Sequence, residues 1–535
     1  MDKAANMGKT SATGSFQLFI GRIVSTIVLA VGTIIVGVYI SDVQYGLYTI
    51  ALVPATTFLL FQDWGVSFAL TKYSANFRAE KKEGELRRII VSGLTFEVMT
   101  GIALTLISFL TANFVASRIF SNPESALLIA LASIAILFTA IYGVSLSVFI
   151  GFEQMTLGTI VMVISAIVQG LVSPLLVFFG FGAFGAVIGY TMGSIASGMT
   201  ALILLYFAIF RKLPPSSLKK PKIVQTLKPL LRYGIPLSIA TIISGVTSQI
   251  YYFVMASSTD IAMIGNYKIA TNFAVFLTFF IYPIQTVLFP AFSKIDPVKD
   301  RKLLNTVFAS SVKYASLFLA PATVALMILA VPLISTIYGG KWASAPLFLT
   351  LSIAGNVFVV LGSLSLSQLL SGVGETNMLM RMKILTFCIG VPLAFLMIPA
   401  FGIIGLIVVS TLVAGLPSLI FGLYWTWKRY GTKADLRNSA KILLASVIAG
   451  ATTYLFMNTF VAAAWLLLIT GALLFLAIYV ISIPLVGALN LMDINNLRTM
   501  FSGLGPLSKL LEIPLAIFEK PLIIKKRNSK LKKQE

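Results

Sequence analysis

Residues 46–51 read GLYTIA, and residues 265–270 read GNYKIA, 219 positions later. Two more landmarks keep that spacing to within one residue. Ser145-Leu146-Ser147 returns as Ser365-Leu366-Ser367, and Phe181-Gly182-x-x-Gly185 returns as Phe401-Gly402-x-x-Gly405, both at an offset of 220. Three landmarks in one order at one offset mark an internal duplication. The copies cover residues 14–212 and 232–430, joined through the basic stretch RKLPPSSLKKPK at 211–222.

The surrounding composition decides what is duplicated. Of 535 residues 58% are hydrophobic and only 11% charged, unlike a soluble globular chain. A helix needs about 20 mostly apolar residues to cross the roughly 30 Å hydrocarbon core. Fourteen such runs are read between residues 16 and 487, among them 46–70, 265–291 and 345–371. The first, 16–40, is too long for a signal-peptide core and is read as retained. The expectation is an all-α polytopic membrane protein with six helices per copy. Six is even, so the copies are parallel repeats about an axis along the membrane normal, which suits a carrier rocking around a central cavity. The expected domains are 1–212, a linker at 213–231, 232–430, two added helices at 431–487 and a basic tail at 488–535.

Net charge is +22, and its placement argues against a nucleic-acid partner. With a cytosolic amino terminus, 35 of the 40 Lys and Arg fall on cytosolic segments and only Arg118 and Lys341 on outer loops. That asymmetry is the positive-inside rule and predicts both termini in the cytosol of a cell-membrane protein. The tail alternates apolar pieces with Lys, as expected for contact with anionic lipid; docking of glycan-biosynthesis enzymes is the other reading. Cys388 is the only cysteine and histidine is absent. Neither a disulfide nor His-based nucleophilic or zinc machinery is available, no cofactor is called for, and proton chemistry falls to carboxylates.

Buried charge is the next signal. Counting about 1.5 Å per residue from the cytosolic edge puts Arg22, Asp63 and Glu97 in one layer about 9–14 Å deep. Lys313 lies at comparable depth in the second copy, and Lys268 near the outer edge. An ionised side chain near mid-membrane costs on the order of 3 kcal/mol, so it seeks a partner or a wet cavity. One reading has Arg22, Asp63 and Glu97 tie helices together, with Arg22 and Lys268 free to snorkel. In the other, Arg22 offers a fork for phosphate oxygens and the two carboxylates share a coupling proton. The repeat counterparts of Asp63 and Arg22 are Tyr282 and Thr241, so these charges belong to one copy. Gln249, Tyr251, Tyr252 and Tyr282 could stack on or hydrogen-bond to sugars, or simply pack. Gly185, Gly189 and Gly193 fit close helix packing rather than a phosphate loop.

Taken in order, several landmarks resemble the oligosaccharide flippase family of the multidrug/oligosaccharidyl-lipid/polysaccharide exporter superfamily. They are Gly46-x-Tyr48, Asp63-Trp64-Gly65 followed by Lys72, Gly265-x-Tyr267, LFPAFS at 288–293, YGGKW at 338–342 and Phe401-Gly402-x-x-Gly405. The resemblance covers residues 10–430. It implies two six-helix bundles around a central cavity that move polyprenyl-linked oligosaccharide from the cytosolic to the outer leaflet by alternating access. Fourteen helices rather than twelve resemble the lipid II flippase and sporulation-protein branches. A cation-coupled multidrug exporter is the alternative, although three basic and two acidic buried residues favour an anionic ligand. A membrane glycosyltransferase or ligase is disfavoured because the outer loops are short, so the chain is not expected to be an enzyme.

Overall fold

The computed structural model describes residues 2–214 and 223–502, together with Glu512, Leu515, Ala516 and Glu519. Part of the 213–231 linker and most of the tail beyond Ser502 lie outside the described residues. In chain order the α-helices are α1 (Asp2–Tyr39), α2 (Asp42–Leu59), α3 (Val66–Ala79), α4 (Glu83–Phe114), α5 (Ser125–Gly151), α6 (Met155–Leu176), α7 (Gly182–Leu204), α8 (Ile223–Ser258) and α9 (Ile261–Ala274). They continue as α10 (Thr278–Ser293), α11 (Arg301–Ile328), α12 (Ala330–Tyr338), α13 (Ala345–Ala354), α14 (Ser363–Gly372), α15 (Thr376–Val408), α16 (Gly415–Tyr430), α17 (Leu436–Thr459), α18 (Ala464–Val486) and α19 (Leu491–Ser502). No strand occurs among the described residues.

Backbone polar groups cannot be left unpaired in lipid, and hydroxyl side chains follow the same rule by bonding back along their own helices. Thr49 donates to the Tyr45 carbonyl at 2.8 Å, Ser133 to Ile129 at 2.8 Å and Ser316 to Val312 at 2.6 Å. Polar residues can therefore recur inside apolar helices without marking a site.

The expected unbroken helix over 46–70 is corrected. α2 stops at Leu59 and α3 starts at Val66, with Trp64 at φ +46° and Gly65 at φ +82° between them. Glycine is required twice over at position 65. Its φ is in the left-handed region, and an added Cβ would stand 2.2 Å from the Gly234 carbonyl oxygen. The 345–371 run is likewise broken, bending by 60° between Leu361 and Ser363, with Gly362 at φ +98°. Over 265–291, α9 and α10 are joined by a 3-10 turn at Val275–Leu277.

Nine helices among the described residues are long and apolar enough to cross a membrane, or ten with that bent pair. Length and composition alone do not reproduce the count of fourteen. Two of the nine are continuous runs of 58 and 55 residues, Met155–Lys212 and Thr376–Tyr430, and both fold back. Gly182 (φ +49°, ψ −132°) turns the first and Gly402 (φ +58°, ψ −134°) the second. They are 220 residues apart and share one backbone conformation that only glycine holds easily. After the first turn α7 lies on α6 through its glycine face, as expected: an added Cβ at Gly189 would be 2.5 Å from the Ser173 nitrogen, and one at Gly193 2.7 Å from Gln169 Cβ.

α2 and α9 cross reciprocally. A Cβ at Gly46 would stand 2.0 Å from the Ile261 carbonyl oxygen, and one at Gly265 2.1 Å from the Asp42 carbonyl oxygen. Each pair is offset by 219, so α2 and α9 meet through matching positions on both sides.

By packing, the chain divides into a unit of Met1–Lys268 with Val391–Leu406 and a unit of Ile269–Gly390 with Ile407–Glu535. In the first, α8 lies along α2, α3 and α4, and its core gathers Val66, Leu70, Leu86, Ile90, Val148 and Phe149. In the second, Leu288, Phe292, Leu304, Phe308, Leu366 and Leu370 form the core. The two added helices pack on this second unit, where the Tyr479 hydroxyl donates to the Leu317 carbonyl at 2.7 Å.

Candidate substrate and coupling site

The break in the second span is what builds the charged layer of the first unit. Asp63 Oδ1 accepts the Ser67 amide at 2.8 Å, and its carbonyl accepts the Val66 amide at 2.9 Å. It thus satisfies donors in the first turn of α3 and favours that helix terminus electrostatically. The same turn aims Gln62 at α4. Gln62 Nε2 donates to Glu97 Oε2 at 2.7 Å, and Glu97, only 1% exposed, has Asp63 as its charged neighbour. Its other oxygen, Oε1, has no hydrogen-bond donor among the described residues.

Gln62, Asp63 and Glu97 thus form one cluster at the α2–α3 break and α4. Arg22 is exposed on α1 and acts electrostatically on Tyr142 of α5. A Cβ on Gly143, the residue after Tyr142, would lie 3.9 Å from the Ser67 hydroxyl.

Along α8 the first half of the same span is held by other groups. Gln249 Oε1 accepts from the Thr57 hydroxyl at 3.2 Å and the Thr56 hydroxyl at 3.4 Å. A Cβ at Gly245 would be 2.4 Å from a Leu60 methyl, and Lys72 Nζ lies 3.9 Å from the Tyr233 ring centroid. Tyr251 is buried, and Tyr252, half-buried, neighbours Tyr267. Lys268 is half-buried on α9.

The other two candidates lie in the second unit. Tyr282 is half-buried on α10. Lys313 is buried, and its ammonium donates to Asp493 Oδ2 at 2.7 Å. Tyr314 donates to Asp493 Oδ1 at 3.3 Å, Asn496 donates to the Tyr314 hydroxyl at 3.2 Å, and the Asn490 amide donates to Asp493 Oδ2 at 2.8 Å. Lys313 is thus paired with an acid from the start of the tail.

Sequence reasoning missed Gln62, Tyr142 and Asp493. Gln62 stood beside Asp63 in FQDWG and is the cluster's only amide. Asp493 lay in a stretch read for its lysines, although it was the one acid there within reach of a buried cation.

A profile of the family described as "Polysaccharide biosynthesis protein" matches residues 39–347, more than half of the 535. The chain belongs to the polysaccharide biosynthesis protein family. The lipopolysaccharide biosynthesis protein WzxC of Escherichia coli (strain K12) is 26% identical over 308 residues, 57% of this chain and 58% of that protein. A Klebsiella pneumoniae protein described as an uncharacterized membrane protein in the cps region is 31% identical over 188 residues, 34% of this chain and 37% of that one. The chain spans less than two thirds of the length of these curated relatives. Among solved structures, a lipid II flippase MurJ in an inward closed conformation matches with a TM-score of 0.70, covering 88% of this chain and 97% of that one at 18% identity. An inward-facing multidrug resistance MATE family transporter of the MOP superfamily matches at 0.61, with 75% and 94% covered at 15% identity. At such identities the likeness is one of fold. This family member is a multi-pass membrane protein that shares its fold with those two structures.

Proposed function

We propose that this family member is a flippase that carries a lipid-linked oligosaccharide or polysaccharide precursor from the cytosolic to the outer leaflet by alternating access. The observation that carries the reading is the family match over residues 39–347; the WzxC and MurJ likenesses support it. The two six-helix copies would be the moving parts, with both termini in the cytosol of a cell-membrane protein.

The Gln62–Asp63–Glu97 cluster is the proposed coupling site. Glu97 is enclosed by protein and has an amide donor on one side and a second carboxyl on the other. Such a pair can take up and release one proton between two states of the α2–α3 break. Arg22 is proposed as a contact for the substrate's diphosphate, with Lys268 as a further attracting charge; Lys313, already paired with Asp493, is not carried into the site. Gln249, Tyr252 and Tyr282 are proposed as contacts for its sugars.

The test is transport of a fluorescent polyprenyl-diphosphate sugar in proteoliposomes, read as loss of the label's accessibility to an external quencher. The reading requires time-dependent movement above protein-free vesicles, and equal rates would overturn it. Multidrug export is the second reading, favoured by the MATE likeness; efflux of a cationic dye with no movement of the lipid-linked sugar would select it.

A further inference from the structure

The α2–α3 break closes on a tight turn in which the Val66 amide donates to the Asp63 carbonyl at 2.9 Å. Between them Trp64 has φ +46° and Gly65 φ +82°. Positive φ at both central positions is the pattern of a type I′ turn, which Gly, Asn and Asp adopt easily and a bulky side chain does not. Asparagine at position 64 would cost the backbone less, yet the position carries the largest side chain of all. The surrounding structure holds the strained conformation in place: Gly65 lies so close to α8 that an added Cβ would stand 2.2 Å from the Gly234 carbonyl oxygen.

Packing does not account for the ring. Trp64 is 41% exposed, and its indole has no hydrogen-bond or ring partner among the described residues. Exposure to lipid does not account for it either. Gln62 reaches Glu97 at 2.7 Å, and Glu97 stands about 21 Å along α4, a helix about 48 Å long. α4 belongs to the run Glu83–Ile119, long and apolar enough to cross a membrane, so the break lies at membrane depth. Non-helical backbone is tolerated there only inside protein or along a water-filled cavity. With Trp64 exposed and Asp63 only half-buried, the break lines a wet cavity.

We infer that Trp64 is a substrate contact that stacks on a sugar ring of the lipid-linked saccharide, an assignment that rests on the flippase reading. The indole offers a flat apolar face and one N–H donor, and Asp63 beside it offers a carboxyl oxygen. A pyranose ring has the matching parts, an apolar C–H face and a rim of hydroxyls. Sugar recognition then sits one residue from the proposed coupling acid, and a seated sugar bears directly on the state of the break.

The test is movement of a fluorescent polyprenyl-diphosphate sugar in proteoliposomes by the full chain and three variants, with thermal unfolding of each. Trp64→Asn suits the turn and removes the ring; it is expected to melt no lower than the wild type and to move the lipid about tenfold or more slowly, with the loss in KM. Trp64→Leu keeps bulk and backbone strain without a flat face, and should lose as much. Trp64→Phe restores the face and should stay within about threefold of the wild type. Wild-type movement by Trp64→Asn, equal rates for Trp64→Leu and Trp64→Phe, or a loss confined to kcat would overturn the assignment. A clearly lower melting point for Trp64→Asn would also overturn it, since packing would then be what keeps the ring. All of these outcomes presuppose wild-type movement above protein-free vesicles; without it the flippase reading itself falls, and the assignment with it.

Discussion

Gly46 and Gly265, 219 residues apart in sequence, occupy matching places in one helix crossing: each packs against the carbonyl four residues before the other, at Ile261 and Asp42. Close crossing without a side chain is a feature of small-residue contacts in membranes. Gly46→Ala and Gly265→Ala are each expected to lower stability by about 1–3 kcal/mol. The double substitution should cost less than their sum, because each already forces the same two backbones apart. Thermal unfolding in detergent checks this, and full additivity would mean that the two contacts are independent.

Gly65 and Gly180 separate strain from clash. Both have positive φ, +82° and +90°, but a Cβ at Gly65 meets the Gly234 carbonyl whereas one at Gly180 meets nothing within 4 Å. Gly180→Ala is expected to cost about 1–2 kcal/mol for the left-handed backbone alone. Gly65→Ala should cost clearly more, measured by the same unfolding experiment.

Lys313 and Asp493 form a buried pair with side chains each 10% exposed. Removing one partner leaves a buried charge, so Lys313→Met or Asp493→Asn is expected to destabilise by about 3–5 kcal/mol. Lys313→Met combined with Asp493→Leu should recover much of that loss. If the single variants unfold like the wild type, the pair does not hold α19 in place.

Asp63 serves both a helix start and a charge, and two substitutions divide these roles. Asp63→Asn keeps an oxygen to accept the Ser67 amide, so stability should be nearly preserved. Asp63→Ala loses the acceptor, at a cost of about 1 kcal/mol. If the proposed coupling role is right, both lose transport although only one loses stability.

Much of this architecture was legible because it is written in periodic or repeated terms. The apolar runs, the GLYTIA and FGxxG landmarks and the glycine spacing of α7 correspond to the α2–α9 crossing, the Gly182 and Gly402 turns and the α6–α7 contact. The break at 60–65 was not legible. Leu60, Phe61, Trp64 and Val66 are as apolar as any span, and a run of suitable length does not reveal that Gly65 has left the helical region. The counted depth of Asp63 assumed an unbroken helix for the same reason. The layer's chemistry was half visible: the acids stood out against the apolar background, whereas Gln62, Tyr142 and Asp493 gained meaning only when distant segments met.

The central claim is that the Gln62–Asp63–Glu97 cluster drives movement of a lipid-linked sugar. Glu97→Gln tests it most directly, since glutamine keeps the shape and can still accept from Gln62 but cannot exchange a proton. In proteoliposomes, folded Glu97→Gln protein is predicted to move the fluorescent polyprenyl-diphosphate sugar at least about tenfold more slowly than wild type, a barrier increase of about 1.4 kcal/mol or more. Movement at the wild-type rate by that variant would contradict the account.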